Sequence, residues 1–169
     1  MTDLQFWQLV TAQDMFASSD ELAEQLKARL MPLDDQTLAA FDKCFNLKMR
    51  ETYRWNLWGA AYLIAGCNSE FGFSEFRCWL ISRGQEVFET TIANPDNLAG
   101  CEVMSLKDGK AYPYLDEYDL IAGQTYEDRV GEELPFMPSG QDQPKGKRFK
   151  DRPKFLKAAY PKLFKQYRT

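Results

Sequence analysis

The most constraining feature of this chain is the segment 53–66, YRWNLWGAAYLIAG, which is apolar almost all the way around a helix. A helix of this kind has no face that prefers water, so it is buried at the centre of a fold. Trp55, Trp58 and Tyr62 follow one another at steps of three and four residues and bring large aromatic surfaces to a shared face. The small residues 59–61 would let a neighbouring helix approach closely. The sequence therefore predicts a central, aromatic-rich helix.

Further helices are predicted on both sides of this segment, separated by glycine and proline. Apolar residues recur at helical spacing, or the flanking residues resemble helix ends, in the segments 4–10, 18–31, 34–50, 73–84, 85–93, 117–130, 151–160 and 161–168. Gly84 is expected to end one of these helices as a left-handed C-cap. No alternating strand pattern exceeds four residues, although residues 101–106 are compatible with a small strand pair. The predicted fold class is mainly α, a compact single-domain multi-helix bundle.

The composition divides the chain into three parts. Residues 1–130 are predicted to form the helical domain, and residues 131–150 a basic connector rich in proline and glycine. Residues 151–169 are predicted to form a helical segment that packs on the same domain, because their apolar residues form one stripe, namely Leu156, Tyr160, Leu163, Phe164 and Tyr167. The C-terminal helix is therefore expected to dock on the body with its lysines facing water.

The absence of histidine excludes whole classes of chemistry. Without an imidazole, the chain cannot be a hydrolase with a histidine base or hold a histidine-ligated zinc or iron ion. Its four cysteines, at positions 44, 67, 78 and 101, contain no C-x-x-C pair and are expected to be buried free thiols. We therefore expect no metal and no cofactor, and any catalysis would depend on Asp, Glu, Lys, Tyr, Cys or Arg.

Charge is distributed very unevenly along the chain. Residues 1–143 contain 11 lysines and arginines against 24 carboxylates, a net charge of −13, whereas residues 144–169 contain ten cations against Asp151 alone, a net charge of +9. Such an acidic body attracts basic partners and repels nucleic acid. The leading hypothesis is therefore a small protein-interaction module that binds another, basic protein, for example by neutralising a basic toxin or nuclease.

Two further expectations concern the tail and the location of the protein. The seven carboxylates of residues 116–133 are expected to attract the basic tail within the same chain, which argues further against nucleic acid as a partner. The N-terminus lacks the pattern of a signal peptide, and no apolar run is long enough to span a membrane. We therefore expect a cytoplasmic protein that has no contact with membranes. The oligomeric state is not determined by the sequence.

The stretch 66–76, GCNSEFGFSEF, places glycines and carboxylates between two apolar segments. As an EF-hand loop starting at Asn68 it would have Phe73 at its sixth position and Trp79 at its twelfth, where calcium loops need glycine and glutamate. It also lacks the lysine of a phosphate-binding loop. The remaining interpretation is a corner between two helices, in which Gly66 ends the first helix and Gly72 or Ser74 begins the second.

Charged and aromatic residues around this corner form the candidate site. Its members are arginine, aromatic and acidic residues that could line a cleft for a planar or charged group, namely Tyr53, Trp58, Glu70, Arg77, Trp79 and Glu86. The same arginines and carboxylates could instead form internal ion pairs that order the corner. The alternative function is therefore a small-ligand-binding protein or an enzyme that uses this cleft.

The block from Trp55 to Gly100, WNLWGAAYLIAGCNSEFGFSEFRCWLISRGQEVFETTIANPDNLAG, resembles a bacterial family known as domain of unknown function 4240. The FW pair at 6–7 and the closing YPKLFKQY extend the resemblance to residues 1 to about 125 and to the terminal helix. It implies a mostly helical fold and no particular activity. Tyr53, Trp58, Glu70, Arg77, Trp79 and Gly84 lie on its pattern positions. The family often has S-D-D-G-F where this chain has SEFGF, so a site with two carboxylates is not expected here.

Overall fold

The computed structural model describes residues 1–135, 137–138 and 140–168. It confirms the mainly α fold class. The α-helices in this part of the chain are α1 (Asp3–Val10), α2 (Ser19–Leu30), α3 (Asp35–Glu51), α4 (Trp55–Ala65), α5 (Glu70–Ser82), α6 (Gln85–Ala93), α7 (Ile121–Val130), α8 (Pro153–Ala159) and α9 (Pro161–Arg168). Two short 3₁₀ turns are also present: Pro95–Leu98 follows α6, and Tyr118–Leu120 precedes α7. Within the described residues, no helix is both long and apolar enough to cross a membrane.

Side-chain caps explain where several of these helices begin. The hydroxyl oxygens of Thr2 and Ser18 and the carboxylate of Asp34 each accept a hydrogen bond from the backbone N–H three residues later. Ser69 does the same for α5 by accepting from Gly72 N at 3.0 Å. These contacts satisfy donors that have no partner inside the helix. The helix therefore begins at Glu70, earlier than the predicted Gly72 or Ser74.

Helix α4 lies in the core as predicted, but it is not buried on every side. Seven of its 11 residues are buried, including Trp58 and Gly59, whereas Trp55 and Tyr62 are only partly covered. Gly66 ends the helix in the left-handed conformation, with φ 69°, which glycine adopts without the penalty of a Cβ atom. The prediction for Gly84 was wrong, because Arg83 is the C-cap of α5 and Gly84, with φ 101°, precedes α6.

A short hairpin lies outside the helices. Strands β1 (Leu106–Lys107) and β2 (Lys110–Ala111) are antiparallel, with Leu106 opposite Ala111. Asp108 and Gly109 between them both have positive φ, the conformation that an Asp-Gly pair favours in a tight hairpin. The pair thus begins at Leu106, the last of the residues 101–106 that were compatible with strands, and continues beyond them.

The C-terminal helix packs on the body, against α4 and the turn Pro95–Leu98. The buried carboxylate of Asp96 accepts hydrogen bonds from Lys162 N at 3.1 Å and Leu163 N at 2.9 Å, at the beginning of α9. The Tyr160 hydroxyl donates to Asn56 O at 2.6 Å and lies against Gly59, where a Cβ atom would overlap it. Gly59 therefore leaves room for the side chains of Tyr160, between α8 and α9, and Phe149, and not for the backbone of a neighbouring helix.

Two expectations about charge and thiols need correction. No ion pair between the described residues joins the basic tail to the acidic segment 116–133; the ion pairs found there are Lys48–Asp3 and Arg129–Asp35. The tail is held instead by apolar packing and by Asp96. All four cysteines are free, but only Cys67 and Cys78 are buried, and the other two are half-buried.

Candidate functional site

Arg77 is a buried cation at the centre of the candidate site. It lies in the middle of α5 and is 9% exposed. Its Nη1 donates to Met49 O at 3.1 Å and its Nε to Phe73 O at 3.3 Å. The guanidinium carbon is 4.8 Å from the ring centres of both Tyr53 and Phe73. Carbonyl oxygens and ring faces thus stabilise the charge in place of a carboxylate.

Tyr53 and Glu70 lie beside this guanidinium. The Tyr53 hydroxyl donates to Glu70 Oε1 at 2.9 Å, which links the end of α3 to the beginning of α5. The main chain of Tyr53 is fixed in turn, because its carbonyl oxygen accepts from Lys145 N at 2.9 Å and from Gln141 Nε2 at 3.3 Å. The pKa of Tyr53 is raised, mainly by burial and to a smaller extent by the hydrogen bond to Glu70. Its hydroxyl therefore stays protonated and remains a donor at neutral pH.

The expected ion pairs around the corner do not form. Arg77 has no carboxylate within ion-pair distance in the described part of the chain, and neither does Arg54 or Arg83. Arg54 donates to Glu51 O at 2.9 Å, and Arg83 donates to Met15 O and Val103 O at 2.6 and 3.1 Å. Burial lowers the pKa of Arg77 from its ordinary value, because the cation loses part of its hydration in the core.

Arg77 lines a pocket of about 360 Å³ between α3, α5 and the segment that includes Met137 and Gln141. Its walls carry two cations, one carboxylate, two amides, a phenol and two thioethers, from Asn46, Met49, Arg50, Tyr53, Glu70, Arg77, Met137 and Gln141. We call it the arginine pocket. A volume of this size suits a small organic molecule.

Arg50 contributes a second guanidinium to the arginine pocket. Its Nη2 donates to the carbonyl oxygen of Pro138, while its buried Nε has no hydrogen-bond acceptor. A buried donor without an acceptor among the described residues is rare in a folded protein. The described residues contain no cluster of three or more carboxylates or thiols that could hold a metal ion. The arrangement is thus suited to binding an anion through hydrogen bonds.

The structure brings together half of the predicted site residues. Tyr53, Glu70 and Arg77 line the arginine pocket, whereas Trp58 lies behind Phe73 and lines a different cleft. Trp79 is completely buried and donates from its indole nitrogen to Ser105 Oγ at 2.9 Å. Glu86 is exposed near the beginning of α6 and does not line the arginine pocket. Trp79 and Glu86 are therefore not members of this pocket.

Sequence reasoning missed the contribution of α3. Asn46, Met49 and Arg50 follow one another at steps of three and one residues, which places them on one side of the end of this helix, and Tyr53 follows just beyond it. That spacing is visible in the sequence and would have added Arg50 to the candidate residues. Met137 and Gln141 lie in the segment rich in proline and glycine, whose course no periodic pattern predicts.

The comparison with known families agrees with the resemblance seen in the central block. The profile of the family described as protein of unknown function (DUF4240) matches residues 1–128. The chain belongs to this family. No curated protein and no solved structure matches the chain. Six of the eight residues that line the arginine pocket lie within the part matched to DUF4240, while Met137, Gln141 and the terminal helix lie outside it.

Proposed function

We propose that this protein binds a small carboxylic acid in the arginine pocket. One observation carries the proposal: Arg77 and Arg50 line the same 360 Å³ pocket, and neither forms an ion pair with any described carboxylate. The proposal follows the alternative drawn from the sequence, a ligand-binding cleft around residues 53–86, with Arg50 added to it.

The energetic argument rests on the burial of Arg77. Moving a cation out of water is costly, and hydrogen bonds to neutral carbonyl oxygens offset only part of that cost. A carboxylate in the pocket would supply the missing opposite charge, and a guanidinium can hold it with two parallel hydrogen bonds. The rings of Tyr53 and Phe73, both 4.8 Å from the guanidinium carbon, keep its plane in place before the ligand arrives. This preorganisation favours binding.

Glu70 narrows the class of ligand. It lies on the wall of the pocket, exposed to water, and one of its oxygens accepts from Tyr53. Its negative charge disfavours ligands with several carboxylates, while its free oxygen can accept a hydrogen bond from an amine or a hydroxyl. The ligand that suits both ends of the pocket is a small acid with an amine or hydroxyl group, such as an amino acid or a hydroxy acid.

The test is a thermal-shift screen of amino acids, hydroxy acids and dicarboxylic acids, followed by calorimetric titration. A ligand at about one hundred times its Kd stabilises the folded state by about 2.7 kcal/mol, which corresponds to a shift in Tm of roughly 5–10 °C for a chain of this size. Arg50→Gln should weaken binding about tenfold or more. Arg54→Gln, which changes a neighbouring arginine outside the pocket, should leave it unchanged. If no acid in the screen shifts Tm, the proposal is wrong.

A second candidate function is the binding of a basic protein by the acidic body. It is supported by a groove of about 330 Å³ between α3 and α7, which is lined by Asp42, Asp119, Glu127 and Glu133. Burial raises the pKa of Asp42 and of Asp119, and the charge of Asp119 adds to the effect on Asp42. A lysine or arginine side chain entering the groove would relieve this repulsion.

This second function can be tested with a lysine-rich peptide of defined sequence. Binding should weaken severalfold in the variant Asp42→Asn/Glu127→Gln and should weaken further as salt is added. The control Glu24→Gln removes a carboxylate from α2, outside the groove, and should have little effect. Equal weakening in both variants would show that only the overall charge matters and would refute a specific site in the groove.

A further inference from the structure

A second, larger cleft lies on the other side of α4. It has a volume of about 750 Å³ and is bounded by α4 on one side and by the chain from Arg148 to Phe155 on the other. None of its lining residues belongs to the arginine pocket. We call it the tryptophan cleft, and it is independent of the function proposed above.

One wall of the tryptophan cleft is aromatic and rigid. Trp55 and Trp58 stack with their ring centres 5.1 Å apart and their planes at 18°, and Tyr62 lies further along the same helix. Trp58 is fixed by a hydrogen bond from its indole nitrogen to Cys67 O at 3.0 Å and by stacking on Phe73 at 4.7 Å. Trp55 is only partly buried; its ring stacks on Trp58, and the Arg148 guanidinium, which also lines the cleft, lies against the same ring.

The opposite wall is basic. Arg148, Lys150 and Arg152 are exposed and form no ion pair with any carboxylate in the described ranges. The Arg148 guanidinium lies 5.3 Å from the ring centre of Trp55, so a cation and an aromatic face already meet in the cleft. Asp151 is the single carboxylate among the lining residues. The cleft therefore combines a stacking surface with an excess of positive charge.

We propose that the tryptophan cleft binds a nucleoside monophosphate. The base would take the place of the Arg148 guanidinium against Trp55, and the phosphate would be held by Arg148, displaced from that ring, and by Arg152. Asn68 and Asp151 line the same cleft and offer an amide and a carboxylate to the polar edge of the base. A volume of 750 Å³ is within the range of pockets that enclose a molecule of this size.

A single nucleotide suits the cleft better than a nucleic acid strand. The basic residues are confined to the last part of the chain, while residues 1–143 have a net charge of −13 and would repel the rest of a polyanion. One phosphate beside one base matches the separation of the cleft into a basic and an aromatic wall. The proposed ligand is therefore a mononucleotide and not a nucleic acid strand.

The experiment is a titration of the full chain with AMP, GMP, CMP and UMP, at up to about 1 mM. At least one of them should quench tryptophan fluorescence, because Trp55 would stack on the base. Calorimetry on Trp55→Ala and Arg148→Ala should then show binding weakened about tenfold or more. Lys157→Ala removes a cation from α8 outside the cleft, and it should bind as the wild type does.

Three further ligands make the result decisive. Inorganic phosphate and the nucleoside of the nucleotide that binds, for example adenosine for AMP, each lack half of the ligand and should bind at least about tenfold more weakly than that nucleotide. If phosphate alone competes as well as that nucleotide does, stacking plays no part and the proposal is wrong. It is equally wrong if no mononucleotide binds, or if only a single-stranded oligonucleotide does.

Discussion

Removing the carboxylate of Asp96 should detach the terminal helix from the body. In the wild type this carboxylate accepts hydrogen bonds from Lys162 N and Leu163 N, at 3.1 and 2.9 Å, in the first turn of α9. Asp96 is 3% exposed and Leu163 is fully buried, so water cannot replace the lost acceptor while α9 stays docked. We therefore expect Asp96→Ala to lower the free energy of unfolding strongly, although it removes only one side-chain carboxylate from a single 3₁₀ turn.

The size of the effect follows from these two bonds. Loss of a helix N-cap costs about 0.5–2 kcal/mol, and leaving a buried backbone N–H without an acceptor costs about 1–3 kcal/mol more. The expected decrease in the free energy of unfolding of Asp96→Ala is therefore about 2–4 kcal/mol. In Asp96→Asn one oxygen can still accept, but the amide NH₂ faces a backbone donor, so more than half of the decrease should remain.

Urea unfolding followed by circular dichroism measures the free energy, and hydrogen exchange of the α9 amides shows where the change is. Asp142→Asn, an exposed carboxylate in the connector, is the matched control and should remain within about 0.5 kcal/mol of the wild type. A similarly small change in Asp96→Ala, with α9 amides protected as before, would refute the assignment of Asp96 as the cap that fixes this helix.

Two other predictions test the packing of the core. Gly59→Ala would place a Cβ atom against the Tyr160 hydroxyl and 3.0 Å from Phe149 Cγ, and should lower the free energy of unfolding, measured by denaturation, by about 1–3 kcal/mol. Tyr160→Phe removes the hydroxyl that this Cβ atom meets, so it should cost less stability when it is added to Gly59→Ala than when it is made alone. Simple additivity of the two losses would contradict the contact. Burial raises the pKa of Tyr118 to about 12, above its ordinary value of 10.0, so its contribution to the free energy of unfolding is present below pH 10 and is lost as the pH rises through 12. Unfolding measured across this range should show that Tyr118→Phe removes up to about 2.7 kcal/mol of the stability that the wild type loses there. If the variant lost stability with pH as steeply as the wild type does, this prediction would be contradicted.

The sequence predicted the parts of the fold that follow a local pattern. The apolar run of α4 and the cap residues Ser18 and Asp34 are each determined by neighbours within a few residues, and all appear where expected. The helix that follows the corner was placed too late, because the Ser69 hydroxyl caps it and starts it at Glu70, before the predicted Gly72 or Ser74. Gly84 was assigned to the wrong helix, since a glycine between two adjoining helices can serve either one.

The candidate site was only partly predictable, because burial depends on the whole fold. Arginine and aromatic residues near a turn have the same sequence pattern whether they line a pocket, as Arg77 does, or fill the core, as Trp79 does. The segments that complete the two cavities, around Gln141 and around Arg148, have no periodicity from which their course could be predicted. The basic tail was expected on the acidic segment, but apolar contact with α4 determines its position.

The width of the tryptophan cleft is set by the two points at which the chain that forms its basic wall is attached to the body. Lys145 is hydrogen-bonded to the main chain of Tyr53 and Trp55 on one side, and Tyr160 is bonded to Asn56 on the other. Residues 146–159 span the distance between these points, so their number sets how far the basic wall stands from α4. A deletion there would narrow the opening and an insertion would widen it, with every residue of α4 unchanged. In evolution, the size of the molecule that the cleft admits could therefore change through the length of the segment 146–159. The aromatic wall, which lies in the region matched to DUF4240, would stay the same.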